Sequence, residues 1–163
     1  MRPIGGRVAT TYPARAASVA CARNAVCGLA LPAGASAEEL DSIRLAVSEA
    51  VTNAVVHAYP DGAPGPVHVK AAIAGGALSV IVADDGCGLG AAGETAGLGL
   101  GLALMENACD SLRLGASHSG GAQVEMRFLL SAATAAAERS ETVQPRAVAS
   151  LSSLRLAALL HDL

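Results

Sequence analysis

The stretch Leu40 to Tyr59, LDSIRLAVSEAVTNAVVHAY, constrains this chain more than any other. At about 100° per residue it reads as a helix. With Glu49 set at zero, Leu40, Ile43, Val47, Ala50, Val51, Ala54 and Ala58 fall in an arc of roughly 100° to 200°, which makes a core face. Glu49, Asn53 and His57 fall within about 80° of one another on a different side, with Ser42 nearby. One flank therefore carries a carboxylate, an amide and an imidazole a turn apart. Upstream, Ser36-Ala37-Glu38-Glu39 fits a capping box, with Ser36 as N-cap and Glu39 reaching back.

The core that this helix serves must be built from Ala, Val, Leu and Ile. Hydrophobic residues make up 52% of the 163, aromatics only 2%, and Trp is absent. That length suits one domain with a tail. A net charge of −3 argues against binding nucleic acid or an anionic membrane through bulk electrostatics. No apolar run reaches spanning length, and the start, MRPIGGRVATTYPA, lacks the apolar centre of a signal peptide. Cys21, Cys27, Cys87 and Cys109 form no Cys-x-x-Cys pair and have no His in metal spacing. Free thiols in a cytoplasmic protein are the expectation.

Around the helix the chain alternates in kind. Arg7 to Tyr12 is short and β-branched, an expected edge strand ended by Pro13. Ala14 to Leu29 has helical composition, and Leu31 to Gly34 breaks it. Val67 to Ala74 and Ala77 to Ala83 read as strands joined by Gly75-Gly76, a hairpin signal. A helix is expected over Leu102 to Asp110. Ser111 to Ala116 and Gln123 to Leu130 then read as strands. This order predicts an α+β fold, a two-layer α/β sandwich with a mixed, mostly antiparallel sheet covered on one face by helices. The domain is expected over residues 7–130, with a linker and a possible short C-terminal helix over 131–163.

Two glycine-rich stretches complete the pattern. Asp84 ends a buried strand and is followed by Gly86 and Gly88. A carboxylate there can accept a hydrogen bond from an exocyclic amine, which suits adenine, and the glycines let a flat base lie against backbone. Gly97-Leu98-Gly99-Leu100-Gly101 opens a helix. It is not a dinucleotide fingerprint, because its third glycine comes one residue early and no strand directly precedes it. No Gly-Lys-Ser/Thr occurs, so a P-loop is excluded. A glycine run at a helix N-terminus still makes a phosphate site, since its N–H groups point outward and the dipole favours anions.

Taken in order, the Glu49/Asn53 helix, Asp84-x-Gly86-x-Gly88 and Gly97-x-Gly99-x-Gly101 resemble the N, G1 and G2 boxes of the GHKL superfamily of ATPases. That superfamily contains gyrase, heat-shock chaperones, mismatch-repair proteins and histidine kinases, and its ATPase fold is the Bergerat type. Within it the chain most resembles the small anti-sigma factor serine kinases. The segment from Arg44 to Ala58 and Leu104-Met105-Glu106-Asn107 carry that closer likeness.

The resemblance implies roles. Asn53 would give a side-chain oxygen to Mg²⁺ on the phosphates of ATP. Asp84 would hold the adenine amine, with Gly86 and Gly88 beside the base. Gly97, Leu98, Gly99, Leu100 and Gly101 would wrap the phosphates, with 91–96 as a short lid. Glu49 would be the general base. It further implies a sigma factor and an anti-anti-sigma protein of the STAS type as partners, and a homodimer. Its alternatives are a non-catalytic nucleotide-binding partner switch and the ATP-binding part of a two-component histidine kinase. Two departures stand out. No Lys or Arg lies between Lys70 and Arg113, and Ala122 stands where a threonine hydroxyl is expected to contact phosphate.

Overall fold

A computed structural model describes residues 6–89 and 98–132. The elements run β1 (Arg7–Pro13), α1 (Ala16–Ala30), α2 (Ala37–His57), β2 (Pro66–Ala74), β3 (Ala77–Asp84), α3 (Leu98–Ala108), β4 (Ser111–Ala116) and β5 (Ala122–Leu129). The five strands form one sheet in the order β1-β2-β3-β5-β4. All four pairings are antiparallel, so among the described residues the sheet has no parallel component. The chain leaves β3 through α3 and returns along β4 to slot β5 between them.

Register decides which side of the sheet is dry. Val69 faces Val82, Ala71 faces Val80 and Ile73 faces Leu78 across β2 and β3. Leu78, Val80 and Val82 face Phe128, Met126 and Val124 across β3 and β5. These residues, Ile73 excepted, are buried, and Ile73 packs against the core they form. Alternate positions such as Lys70, Ser79 and Arg127 point to the opposite, exposed face. Helices therefore cover one face only, as the α+β expectation required. The core is less purely aliphatic than composition implied, because Met105, Met126 and the single phenylalanine, Phe128, sit at its centre.

The capping box at the head of α2 is present. Ser36 accepts the Glu39 N–H at 3.1 Å, and Glu39 accepts the Ser36 N–H at 2.8 Å. Glu39 also takes the Ser131 N–H at 2.8 Å, which fixes the end of the sheet segment to the helix N-terminus. The buried residues of α2 are those of the expected core arc, plus Ala46. Ala46 lies on the Glu49/Asn53 flank, so that flank is a helix contact as well as a polar surface. Gly75 and Gly76 turn the β2–β3 hairpin with φ of 55° and 75°, backbone that other residues rarely adopt. No helix among the described residues is long and apolar enough to cross a membrane. The expected lid, Gly97, and the tail from residue 133 onward lie outside the described residues.

Candidate functional site

Asp84 ends β3 on the helix-facing side of the sheet, opposite Val67. It is one of the few polar side chains in the core, 4% exposed. Its Oδ1 accepts the Gly86 N–H at 2.9 Å and the Ala122 N–H at 3.1 Å. No donor from a described residue reaches Oδ2. Oδ2 is not a buried orphan either, since no such atom exists among the described residues. One oxygen is thus locked to the backbone and the other is left open to receive a donor.

The loop after Asp84 is sewn to the end of α2. Cys87 donates its N–H to Ala58 O at 3.0 Å, and its thiol reaches His57 O at 3.3 Å. A side chain at Gly86 would strike the backbone carbonyl of Ala58. Gly88 has φ +80°, and an added Cβ would sit 2.9 Å from Gly120 O. Both glycines are thus required by their surroundings, Gly86 by α2 and Gly88 by the β4–β5 turn and its own backbone.

At the other end of the site α3 meets α2. A Cβ on Gly101 would lie 2.8 Å from Glu49 Oε2 and 3.9 Å from both polar atoms of the Asn53 side chain. Gly101 is buried, while Glu49 and Asn53 are half-buried. The missing side chain lets the first turn of α3 approach the carboxylate and the amide directly. Leu98, Gly99, Leu100 and Gly101 belong to that first turn rather than to a loop before the helix. This corrects the expected start at Leu102. The N–H groups of Leu98, Gly99 and Leu100 have no intrahelical acceptor, so donors stay free there while the helix already forms. Gly99 has no described neighbour within 4 Å of an added Cβ, and Leu100 is 75% exposed. Gly99 thus does not touch the Glu49/Asn53 pair.

All these groups lie on one side of the sheet, with α2 joining the two ends. The asparagine offers a single amide oxygen, and no cluster of three or more His, Cys, Asp or Glu that could hold a metal occurs among the described residues. Such a donor set suits a hard cation that takes most of its ligands from phosphates and water.

The sequence reading missed the β4–β5 turn. Ser117 Oγ donates to Asp84 O at 2.7 Å, Gly121 packs against the Asp84 backbone, and the Ala122 N–H caps its carboxylate. Ala122 therefore stands beside the Asp84 carboxylate. The run Ser117-His118-Ser119-Gly120-Gly121 signals only a turn in one dimension. Tyr59 closes the stretch read as a helix and lies just past the end of α2. Its hydroxyl donates to Pro66 O at 2.7 Å and receives the Asp85 N–H at 2.9 Å. Against α2, α1 places Arg23, whose Nη1 is 3.5 Å from Ser48 Oγ, the long limit of a hydrogen bond.

Residues 12–128 match the histidine kinase-like ATPase domain family. The chain belongs to that family. Its relatives include the serine-protein kinase RsbW of Bacillus subtilis, 33% identical over 132 residues, covering 72% of this chain and 82% of that protein. The RsbW of Bacillus licheniformis is 34% identical over 117 residues, 63% of this chain and 73% of the relative. An anti-sigma F factor of Clostridium novyi is 27% identical over 134 residues, 76% and 94% of the two chains. Among solved structures, the RsbU and RsbW domains of a Mycobacterium tuberculosis protein superpose with a TM-score of 0.60 at 27% identity. That match covers 77% of this chain and spans about a third, 32%, of the solved one.

Proposed function

We propose that this chain is an ATP-dependent serine kinase and anti-sigma factor. It holds a sigma factor inactive and releases it to an anti-anti-sigma protein, whose serine it phosphorylates. The observation that carries this reading is the single-sided assembly of Asp84, Asn53, Glu49 and the first turn of α3. Kinship with RsbW and anti-sigma F proteins supports the serine kinase and the sigma-factor partner.

In this reading the open Oδ2 of Asp84 accepts the adenine amine, and the glycine-bordered loop gives the base a flat floor. The first turn of α3 receives the phosphates on its free N–H groups. Asn53 holds Mg²⁺, which would neutralise phosphate charge when bound. Glu49, one turn earlier on α2, takes the proton from the attacking serine hydroxyl. Its carboxylate lies against Gly101, beside the incoming phosphates, where a base must stand to act in line. Phosphoryl transfer rests mainly on positioning and charge. The protein works in the cytoplasm as a homodimer.

Labelled ATP and a cognate anti-anti-sigma protein test this. Transfer to the partner's serine, lost in Glu49→Ala with ATP binding retained, is the expected result. Unchanged transfer in that variant removes Glu49 from the mechanism. Tight ATP binding without transfer to any partner would instead fit a nucleotide-reading switch, which the absence of Lys or Arg from Ala71 to Leu112 favours.

A further inference from the structure

Asp85 follows the base-binding carboxylate and points the other way. Its Oδ2 lies 3.2 Å from His68 Nε2, and its Oδ1 receives Ser119 Oγ at 2.5 Å. His68 stands on the uncovered face of β2, and its Nδ1 is 3.0 Å from Thr11 Oγ1 on β1. Ser119 Oγ is also 3.1 Å from Ser117 Oγ, the hydroxyl that holds Asp84 O. A continuous chain of side chains thus runs from the edge strand, over the open face, to the backbone of Asp84. It meets Asp84 twice, through the peptide bond from Asp85 and through Ser117.

The imidazole is the one member of that chain whose charge changes near neutral pH. A carboxylate only accepts, so Nε2–H donates to Asp85 in both protonation states. The neutral ring accepts the Thr11 hydroxyl at Nδ1, whereas the imidazolium donates to the same oxygen. The hydroxyl can serve either way, so no bond is lost on titration. What changes is strength, because the charged donor binds the carboxylate more tightly. Hydrogen bonds from Ser119 and His68 already hold the Asp85 carboxyl below its usual range, so it stays ionised across this span.

We propose that Thr11, His68, Asp85 and Ser119 form a proton-sensitive latch that fixes Asp84, so that nucleotide binds more tightly when His68 is protonated. The proposal rests on Asp84 being the base-binding residue. These four residues act as positioning residues and do not touch the nucleotide.

The surroundings of the imidazole are sparsely charged. Lys70 lies two residues along β2 on the same face, and His118 neighbours Ser119 on the turn. Tyr59 meets the Asp85 amide, and Asp84 lies on the far side of the sheet. From β1 the facing residues are Thr11 and Ala9, and from β3 Ala83, all uncharged. His68 and Asp85 side chains are 35% and 37% exposed, so solvent screens the pair. The expected change in ATP affinity between pH 5.5 and 8.5 is therefore modest, about two- to five-fold.

The test is calorimetry of ATP binding across that range on the full chain, with His68→Gln, Asp85→Asn and His118→Gln. Phosphate itself titrates near pH 6. The quantity read is therefore the difference in slope between wild type and variant. We expect His68→Gln and Asp85→Asn to lose the two- to five-fold tightening at low pH and His118→Gln to keep it. Equal slopes in all four proteins would overturn the latch. A nucleotide-free arm follows the His68 Nε2–H by NMR, and its exchange with solvent should accelerate in Asp85→Asn. An unchanged exchange rate also overturns the latch. Wild type that binds no ATP at any pH would refute the base-binding role of Asp84 and with it the latch's effect on nucleotide. The NMR arm still reports the His68–Asp85 coupling, so the two failures are told apart.

Discussion

Replacing Asp84 with asparagine separates the two tasks of its carboxylate. Oδ1 accepts two backbone N–H groups, from Gly86 and Ala122. An amide oriented by those two donors keeps its oxygen there and puts its NH₂ where Oδ2 stands. The group that should receive the adenine amine then becomes a donor facing a donor. Losing a hydrogen bond to a charged group costs about 1.5–3 kcal/mol, or roughly 10- to 150-fold in Kd. The fold should scarcely notice, because both N–H groups remain capped. Asp84→Ala is the contrast. It strands both donors in a site only 4% exposed. Each unsatisfied buried group costs about 1–3 kcal/mol. Calorimetry with ATP and thermal melting of the three proteins decide the matter. Asparagine should abolish most binding at near-native melting temperature, and alanine should lower both. Wild-type affinity in Asp84→Asn would refute the assignment of Oδ2 to the base.

Gly101→Ala places a Cβ 2.8 Å from Glu49 Oε2, and the flexible carboxylate must swing aside. A displacement near 1 Å at a reacting group slows transfer by about 10²-fold. Single-turnover kinetics should show that loss with ATP affinity changed far less, and equal losses would count against a base at Glu49. Ser36→Ala removes one half of the capping box and should cost about 1 kcal/mol in urea denaturation. Burial of Glu39 works against its ionisation, but the Ser36 and Ser131 N–H groups prevail and hold its carboxyl below the ordinary 4.5. Its stabilisation is therefore complete above that value and is lost as pH falls through the lower folded value. The gap between wild type and Glu39→Gln should therefore narrow in acid, and a gap constant to pH 2 would contradict this. Tyr59→Phe leaves the Asp85 N–H and Pro66 O without their shared hydroxyl, and exchange of the Asp85 amide should accelerate while the global melting temperature falls by only a few degrees.

The parts of the fold legible in one dimension were those with a period. The core arc of α2 emerged because Leu40, Ile43, Val47 and Val51 recur at helical spacing. The β2–β3 hairpin emerged because Gly75-Gly76 has few other uses between alternating strands. Ala46 was hidden, since a small residue on a polar flank reads as surface in one dimension. The start of α3 was hidden because glycine weakens any helix signal, and the reason for Gly101 lies on another helix. At the site, Asp84, Gly86 and Gly88 stood out as an acid-glycine cluster. Ser117, Ser119 and Ala122 did not, because their partners lie some thirty residues away, Ala122 38 from Asp84. The place of Ala122 beside Asp84 was hidden for the same reason, because strand order decides which elements β5 adjoins.

The end of α2 meets the loop after Asp84, and its middle meets the first turn of α3. Ala58 is bonded to Cys87 and pressed by Gly86, while Glu49 and Asn53, two and one turns back, adjoin Gly101. A rigid rod pinned at both places cannot let one half loosen alone. Anything that tilts this rod, including a protein gripping its exposed Leu45 and Val56, must shift the loop after Asp84 and the first turn of α3 together.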